Sequence, residues 1–220
     1  MVIINFPHNP TGKCLPRATL DGIVDICRRS NGGLWLFSDE VYRGIERDDK
    51  DLNPPAACLY EKAISLGVMS KALGLAGLRV GWIVCSNVDA MDRIANVKHY
   101  LSICNSAPSE VLSLIALRNQ HRLLAKNKDI VKANLKLFDA FLESWKGVFS
   151  WEPPKGGCCG FVRYKLKGKY SLRELAEKLV MEHGVLIIPG EFFPITSTES
   201  NEIVGCVGEC GVMEMAEEIA

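Results

Sequence analysis

Short apolar runs alternate with amphipathic segments of helical period along the whole chain, and that alternation restricts it to an α/β fold. Val2–Asn5 is an apolar run closed by the turn Pro7-His8-Asn9-Pro10-Thr11-Gly12. A helix is expected from Pro16, with Leu20, Ile23, Val24 and Cys27 on one face, and it stops at Asn31-Gly32-Gly33. Leu34-Trp35-Leu36-Phe37 reads as a buried strand running into Ser38-Asp39-Glu40-Val41-Tyr42. Two more buried strands are expected at 63–68 and 81–85, joined by a glycine-rich connection. The middle is helical: Asn87 caps a segment with Met91, Ile94 and Ala95 inward, and Pro108 opens another with Val111, Leu112, Ile115 and Ala116 on one face. Val131, Leu135, Phe138 and Leu142 form a further stripe, and 108–144 is long enough to predict a break near Ala125-Lys126-Asn127.

Past Trp151-Glu152-Pro153-Pro154 the pattern becomes α+β. It predicts strands at 160–166, 185–188 and 203–207 and a helix from 211 to the end. Between them a helix opens at the capping box Ser171-Leu172-Arg173-Glu174 and ends at His183-Gly184. These shifts divide the sequence into 1–125 and a smaller domain at 126–220.

The 220 residues carry 26 Lys+Arg and 26 Asp+Glu, so no basic excess exists for nucleic acid. No apolar run approaches the ~20 residues of a membrane span, and the first residues lack a signal-peptide pattern. The nine cysteines are odd in number and mostly sit in apolar stretches. They read as reduced thiols of a cytoplasmic protein rather than as a disulfide framework, and no pair has metal-ligand spacing beside a histidine.

Four stretches can carry chemistry: Asn5-Phe6-Pro7-His8-Asn9-Pro10-Thr11-Gly12, Ser38-Asp39-Glu40-Val41-Tyr42, Ser70-Lys71 and Gly77-Leu78-Arg79-Val80-Gly81-Trp82. Singly they are a turn, a solvated strand end, a lysine reaching water and a surface arginine. Jointly they place an amide, a carboxylate, a phenol, an amine and a guanidinium at or just beyond strand ends, where α/β sheets bind ligands. That inventory suits a phosphorylated aromatic aldehyde: an amine for the carbonyl, an acid for a ring nitrogen, donors for a phenolate, a cation for the phosphate.

The order HNPTG, DEVY, SK and GLxGLRxGW resembles the class I/II, fold-type I aminotransferases, which use pyridoxal phosphate. Pro154-Lys155-Gly156-Gly157 and Gly184-Val185-Leu186-Ile187-Ile188-Pro189-Gly190 resemble the same family's small domain. The resemblance implies a transaminase acting on an amino acid and a 2-oxo acid, typically as a homodimer. It makes 1–125 part of the large cofactor-binding domain, with a mainly parallel sheet. Lys71 would be the amine that attaches to the cofactor and moves the substrate proton, and it is expected to be buried with Arg79 close by. Asp39 would pair with the pyridine nitrogen, Tyr42 and Asn9 would bond the phenolate oxygen, and Arg79, helped by Ser70, would hold the phosphate.

Departures from the family accompany the match. The sequence opens at the Asn-Pro-Thr-Gly strand, so the resemblance implies a C-terminal part without the family's N-terminal segment. Aligning Gly208 with a family glycine puts Val204 where an arginine usually binds the substrate carboxylate, and Arg163 is the nearest replacement candidate. Val68 stands where many members carry Ser or Thr. The departures support a competing expectation, an inactive remnant of the fold that acts only by binding a partner. A pyridoxal-phosphate C–S lyase shares the same residues around the cofactor.

Overall fold

The computed structural model describes residues 1–165, 170–193 and, as backbone strand, Glu202–Cys206. Its elements are β1 (Val2–Asn5), α1 (Arg17–Arg29), β2 (Leu36–Asp39), β3 (Ala63–Val68), β4 (Gly81–Val84), α2 (Val88–Ser102), α3 (Ala107–Arg118), α4 (Gln120–Ser144), β5 (Phe149–Trp151), β6 (Cys159–Tyr164), α5 (Leu172–His183), β7 (Ile188–Pro189) and β8 (Glu202–Cys206). The expected helix from 211 and the residues around Gly208 lie outside the described residues. Among the described residues no helix is long and apolar enough to cross a membrane.

The chain divides into two compact units. The first holds Met1–His8, Lys13–Lys128 and Lys155–Gly157; the second holds Asn9–Gly12, Asp129–Pro154 and the chain from Cys158. In the first, a four-stranded sheet runs β1-β2-β3-β4, parallel from β1 to β3 and antiparallel at β4. The α1 stripe works as its spacing predicts: Leu20, Val24 and Cys27 are buried, and Val24 and Cys27 pack with Leu36, Ala56, Tyr60 and Ala63. Gly67 faces Trp82 across the β3–β4 pair, and a Cβ there would overlap the indole, so this strand position requires glycine.

In the second unit, β5-β6-β8-β7 form an antiparallel sheet. Its core gathers Val131, Leu135, Phe138 and Leu142 from α4, Phe149 from β5, Val162 and Tyr164 from β6, and Leu172, Ala176 and Leu179 from α5. The Ser171–Glu174 capping box forms as expected. The Ser171 hydroxyl accepts from the Glu174 N–H, the Glu174 carboxylate accepts from the Ser171 N–H, and left-handed Gly184 closes the other end.

Several local expectations are corrected. The break in 108–144 falls at Asn119, not at 125–127. The Asn119 amide donates to the Ile115 carbonyl and its N–H to Ala116 and Leu117, which diverts the backbone from continuing the helix. Asn87 does cap α2, accepting from the Ala90 N–H, but no residue of α2 is buried, so Met91, Ile94 and Ala95 do not form an inward face. On α3 the buried residues are Ser113 and Ala116, while Val111, Leu112 and Ile115 are exposed. Exposure is heaviest around the end of α2, where Tyr100 is 94% and Leu101 76% exposed.

Candidate active site

Register brings the first candidate residues into line. Asn5, Asp39 and Leu66 occupy one row across β1, β2 and β3, with Asn5 and Asp39 at the carboxyl ends of their strands. Asn5 Nδ2 donates to the Asp39 carbonyl at 3.2 Å, which ties β1 to β2 where both end. Asp39 is half-buried, and its Oδ1 accepts the Val41 N–H at 3.2 Å, a turn in which an aspartate caps its own backbone. That bond ties one carboxylate oxygen to the turn that follows β2.

The turn continues into Tyr42, which is 3% exposed. Left-handed Gly157 packs on its ring, and a Cβ there would stand 3.8 Å from Tyr42 Cδ1. The loop after β3 docks on the same turn through the Ala72 N–H, which donates to the Val41 carbonyl at 3.3 Å. Lys71 thereby reaches Tyr42, its Nζ 5.9 Å from the ring centroid. Lys71 is exposed rather than buried as the sequence suggested, because it lies on the loop beyond the strand.

Arg79 follows a single tight helical turn, Ala76–Leu78, and adopts left-handed φ 54°, ψ 38°. A non-glycine residue held in that region costs about 1–3 kcal/mol, and such strain concentrates at functional positions. Arg79 Nη1 donates to the Ala76 carbonyl at 2.9 Å and stands 3.5 Å from Ser70 Oγ, so the hydroxyl and guanidinium meet at one point. Asp39, Tyr42, Ser70, Lys71 and Arg79 all belong to the first unit. Asn9 is exposed and falls in the Asn9–Gly12 turn, which groups with the second. Arg163 is exposed on β6 at the register position opposite Glu202, and Val204 lies opposite Phe161.

Sequence reading missed Glu40. Its Oε1 accepts from the Ala56 N–H at 2.9 Å and from Ser65 Oγ at 2.7 Å, and Ser65 Oγ in turn accepts the Ala57 N–H at 3.0 Å. Asp39 and Glu40 are adjacent but point to opposite tasks: one stands at the strand edge and the other pins β2 to β3 and the turn at Ala56. The only sequence signal was alternation, since neighbouring strand residues face opposite ways.

Behind this edge a cavity of about 30 Å³, room for about one water, is lined by Phe6, Pro7, Cys14, Glu40, Arg43 and Glu46 among others. Burial pushes the Cys14 thiol up to about 12, with Glu46 and Asp51 adding to it. Burial also lifts the Glu46 carboxyl above the usual carboxylate range, although the Gly44 N–H donates to its Oε2 at 2.8 Å. The native state therefore holds the Glu46 proton more tightly than the unfolded chain. Its stabilising effect is complete below the unfolded value near ~4.3 and is lost as pH rises through the higher native value. Glu46→Gln, neutral throughout, is expected to gain thermal stability relative to the parent between pH about 4 and about 7. Melting curves at both ends check this, and a parent-to-variant difference that does not change with pH sinks it.

The sequence matches the aminotransferase class I and II family over residues 1–203. The chain belongs to that family. It is 29% identical over 193 residues to capreomycidine synthase of Streptomyces vinaceus, covering 88% of this chain and 48% of that protein. It is 27% identical over 202 residues to the arginine–pyruvate transaminase AruH of Pseudomonas aeruginosa, covering 86% and 47%. The chain thus spans about half the length of the curated relatives it matches. Among solved structures it is similar to a PLP-dependent aminotransferase from Streptococcus suis, with TM-score 0.87 and 27% identity over 100% of this chain and 56% of that one. The fold is shared as well with N-succinyldiaminopimelate aminotransferase from Mycobacterium tuberculosis, with TM-score 0.84 and 23% identity over 99% and 56%.

Proposed function

We propose that this chain supplies the lysine-bearing part of a pyridoxal-phosphate aminotransferase site, serving transfer of an amino group from an amino acid to a 2-oxo acid. The observation that carries the reading is the docking of the Lys71 loop on the Asp39–Tyr42 turn, with Arg79 and Ser70 meeting where that loop leaves and re-enters the sheet. The donor set fits the cofactor's chemistry: a carboxylate, a phenol, a primary amine and a hydroxyl–guanidinium pair, all carried by one end of one sheet and its loops. When bound, pyridoxal phosphate supplies an aldehyde for attachment and a ring that accepts electron density.

Lys71 is the residue we assign to covalent attachment and to carrying the proton taken from the substrate's α-carbon. Asp39 would pair with the ring nitrogen, where a carboxylate would favour the protonated ring. Tyr42 orients the phenolate side, with Asn9 assigned to the same oxygen. Arg79 and Ser70 bind the phosphate, for which a planar guanidinium fork is suited. In this reading 1–125 belongs to the cofactor domain and 126–220 to the small domain. The exposed apolar side chains of α2 and α3 support a homodimer, and a cytoplasmic location is part of the same reading.

The test is to mix the purified chain with pyridoxal phosphate, reduce with borohydride and map the pyridoxyl group by peptide mass spectrometry. A single adduct on Lys71, absent in Lys71→Ala, is the expected result. Adducts scattered over surface lysines, or none, defeat the assignment, and light scattering on the same sample reads the homodimer.

A further inference from the structure

The residue after Lys71 is held from two sides. Ala72 is buried, its N–H donates to the Val41 carbonyl at 3.3 Å, and its carbonyl accepts from Asn127 Nδ2 at 2.9 Å. Asn127 is half-buried in α4, 55 residues further along the chain, and all these groups belong to the first unit. The loop is also closed on itself. The Gly74 N–H donates to the Lys71 carbonyl at 2.9 Å, and the Leu75 N–H to the Met69 carbonyl at 2.9 Å. Gly74 is left-handed at φ 71°, and a Cβ there would stand 3.1 Å from Asn127 Nδ2, so the amide lies over the turn that carries Lys71.

Apolar contacts seat the same stretch of α4 on this loop. Leu123 and Leu124 pack with buried Met69 and Leu73, and a Cβ on Gly44 would stand 3.1 Å from Leu124 Cδ1. This part of α4 therefore covers both the loop and the turn on which the loop docks. Apolar packing is non-directional, whereas an amide that meets one carbonyl fixes which atom sits where. Asparagine is also a poor helix former, because its side chain competes for backbone groups. Inside α4 the Asn127 amide serves a carbonyl of another element.

We propose that Asn127 is a positioning residue for Lys71: by holding the Ala72 carbonyl it fixes where the lysine leaves the Asp39–Tyr42 turn. Its effect passes through the backbone of Ala72. The inference rests on the cofactor reading for what Lys71 does, but not for how the loop is held.

The test compares the full chain with Asn127→Ala and Asn127→Asp. The aspartate keeps the shape of the side chain, offers no donor when ionised and sets a negative charge against the carbonyl. Hydrogen exchange, read by mass spectrometry on peptides spanning 69–78, reports the Ala72, Gly74 and Leu75 amides without any cofactor. Exchange there is expected to be about fivefold faster in Asn127→Ala, the loosening that one lost hydrogen bond allows. It should be at least as fast in Asn127→Asp, with the other helices and strands unchanged. Borohydride reduction at limiting pyridoxal phosphate should then give Lys71 a smaller share of the pyridoxyl label in both variants. Alanine is the better helix former, so the melting temperature of Asn127→Ala is not expected to follow the loop.

Exchange at 69–78 equal to the parent's in both variants overturns the inference. Faster exchange spread over the whole chain overturns it as well, since that marks a residue of general stability. So does an unchanged Lys71 share of the label beside a faster loop. A parent that takes no label at Lys71 defeats the cofactor reading, and the exchange comparison then decides the inference by itself.

Discussion

Lys71→Ala and Lys71→Arg are both expected to lower amino-group transfer by roughly 10²–10⁴-fold, the range that a positioned proton-transfer group contributes. The pair of variants is chosen for the chemistry it separates. Arginine keeps a cation near the Tyr42 ring, where Lys71 Nζ lies 5.9 Å from the centroid. A guanidinium does not give up its proton in a protein, so it neither attaches to an aldehyde nor accepts a proton from carbon. If Lys71 acted only through its charge, Lys71→Arg would retain most of the activity and the assignment would fall. The measurement is turnover by the protein that carries these residues, with melting temperatures beside it. Because Lys71 is exposed, neither variant should move the melting temperature by more than about 0.5 kcal/mol would.

The largest effect on stability near the site is expected at its neighbour Glu40. Glu40→Ala removes the oxygen that accepts from both the Ala56 N–H and the Ser65 hydroxyl, inside a region where Ala56 and Ser65 are buried. Donors left without partners cost about 1–3 kcal/mol each, so a loss of roughly 2–6 kcal/mol is expected. Glu40→Gln keeps an amide oxygen in the same place and should cost only about 1 kcal/mol. Urea denaturation of the three proteins distinguishes the cases. Equal losses for alanine and glutamine would mean that charge, not the two hydrogen bonds, is what the position requires.

The sequence displayed the α4 stripe plainly, since Val131, Leu135, Phe138 and Leu142 recur at helical spacing and all four are buried. The capping box at Ser171 was equally legible, being a local exchange between residues three apart. The candidate residues were legible as a set because strand ends and loops could be placed from apolar runs. What stayed hidden depends on partners far along the chain. Periodicity shows that Val111, Leu112 and Ile115 share a side of α3, but not whether anything covers that side, and they are exposed. The break at Asn119 rests on one side-chain amide bonding a carbonyl four residues back, a competition that composition does not reveal. The short strand β5 forms because Phe149, Ser150 and Trp151 find Tyr164, Arg163 and Val162 across the sheet. The Glu40 anchor was invisible for the same reason, since its donors come from residues 56 and 65.

The reversal between β3 and β4 has a consequence for how such a site can change. Val68 and Gly81 face each other across the antiparallel pair, and the Met69 N–H donates to the Val80 carbonyl at 3.0 Å, clamping the chain where it leaves and re-enters the sheet. Met69 is fully buried, so the clamp is also an apolar plug. Between these ends run Ser70, Lys71 and Arg79, three of the candidate groups, on one closed excursion of the backbone. A segment delimited in this way can be rewritten at its exposed positions, Lys71 among them, while buried Ala72 and Leu73 and the strands that launch and receive it stay as they are. New chemistry at this edge therefore needs a few exposed residues replaced, not a fold rebuilt.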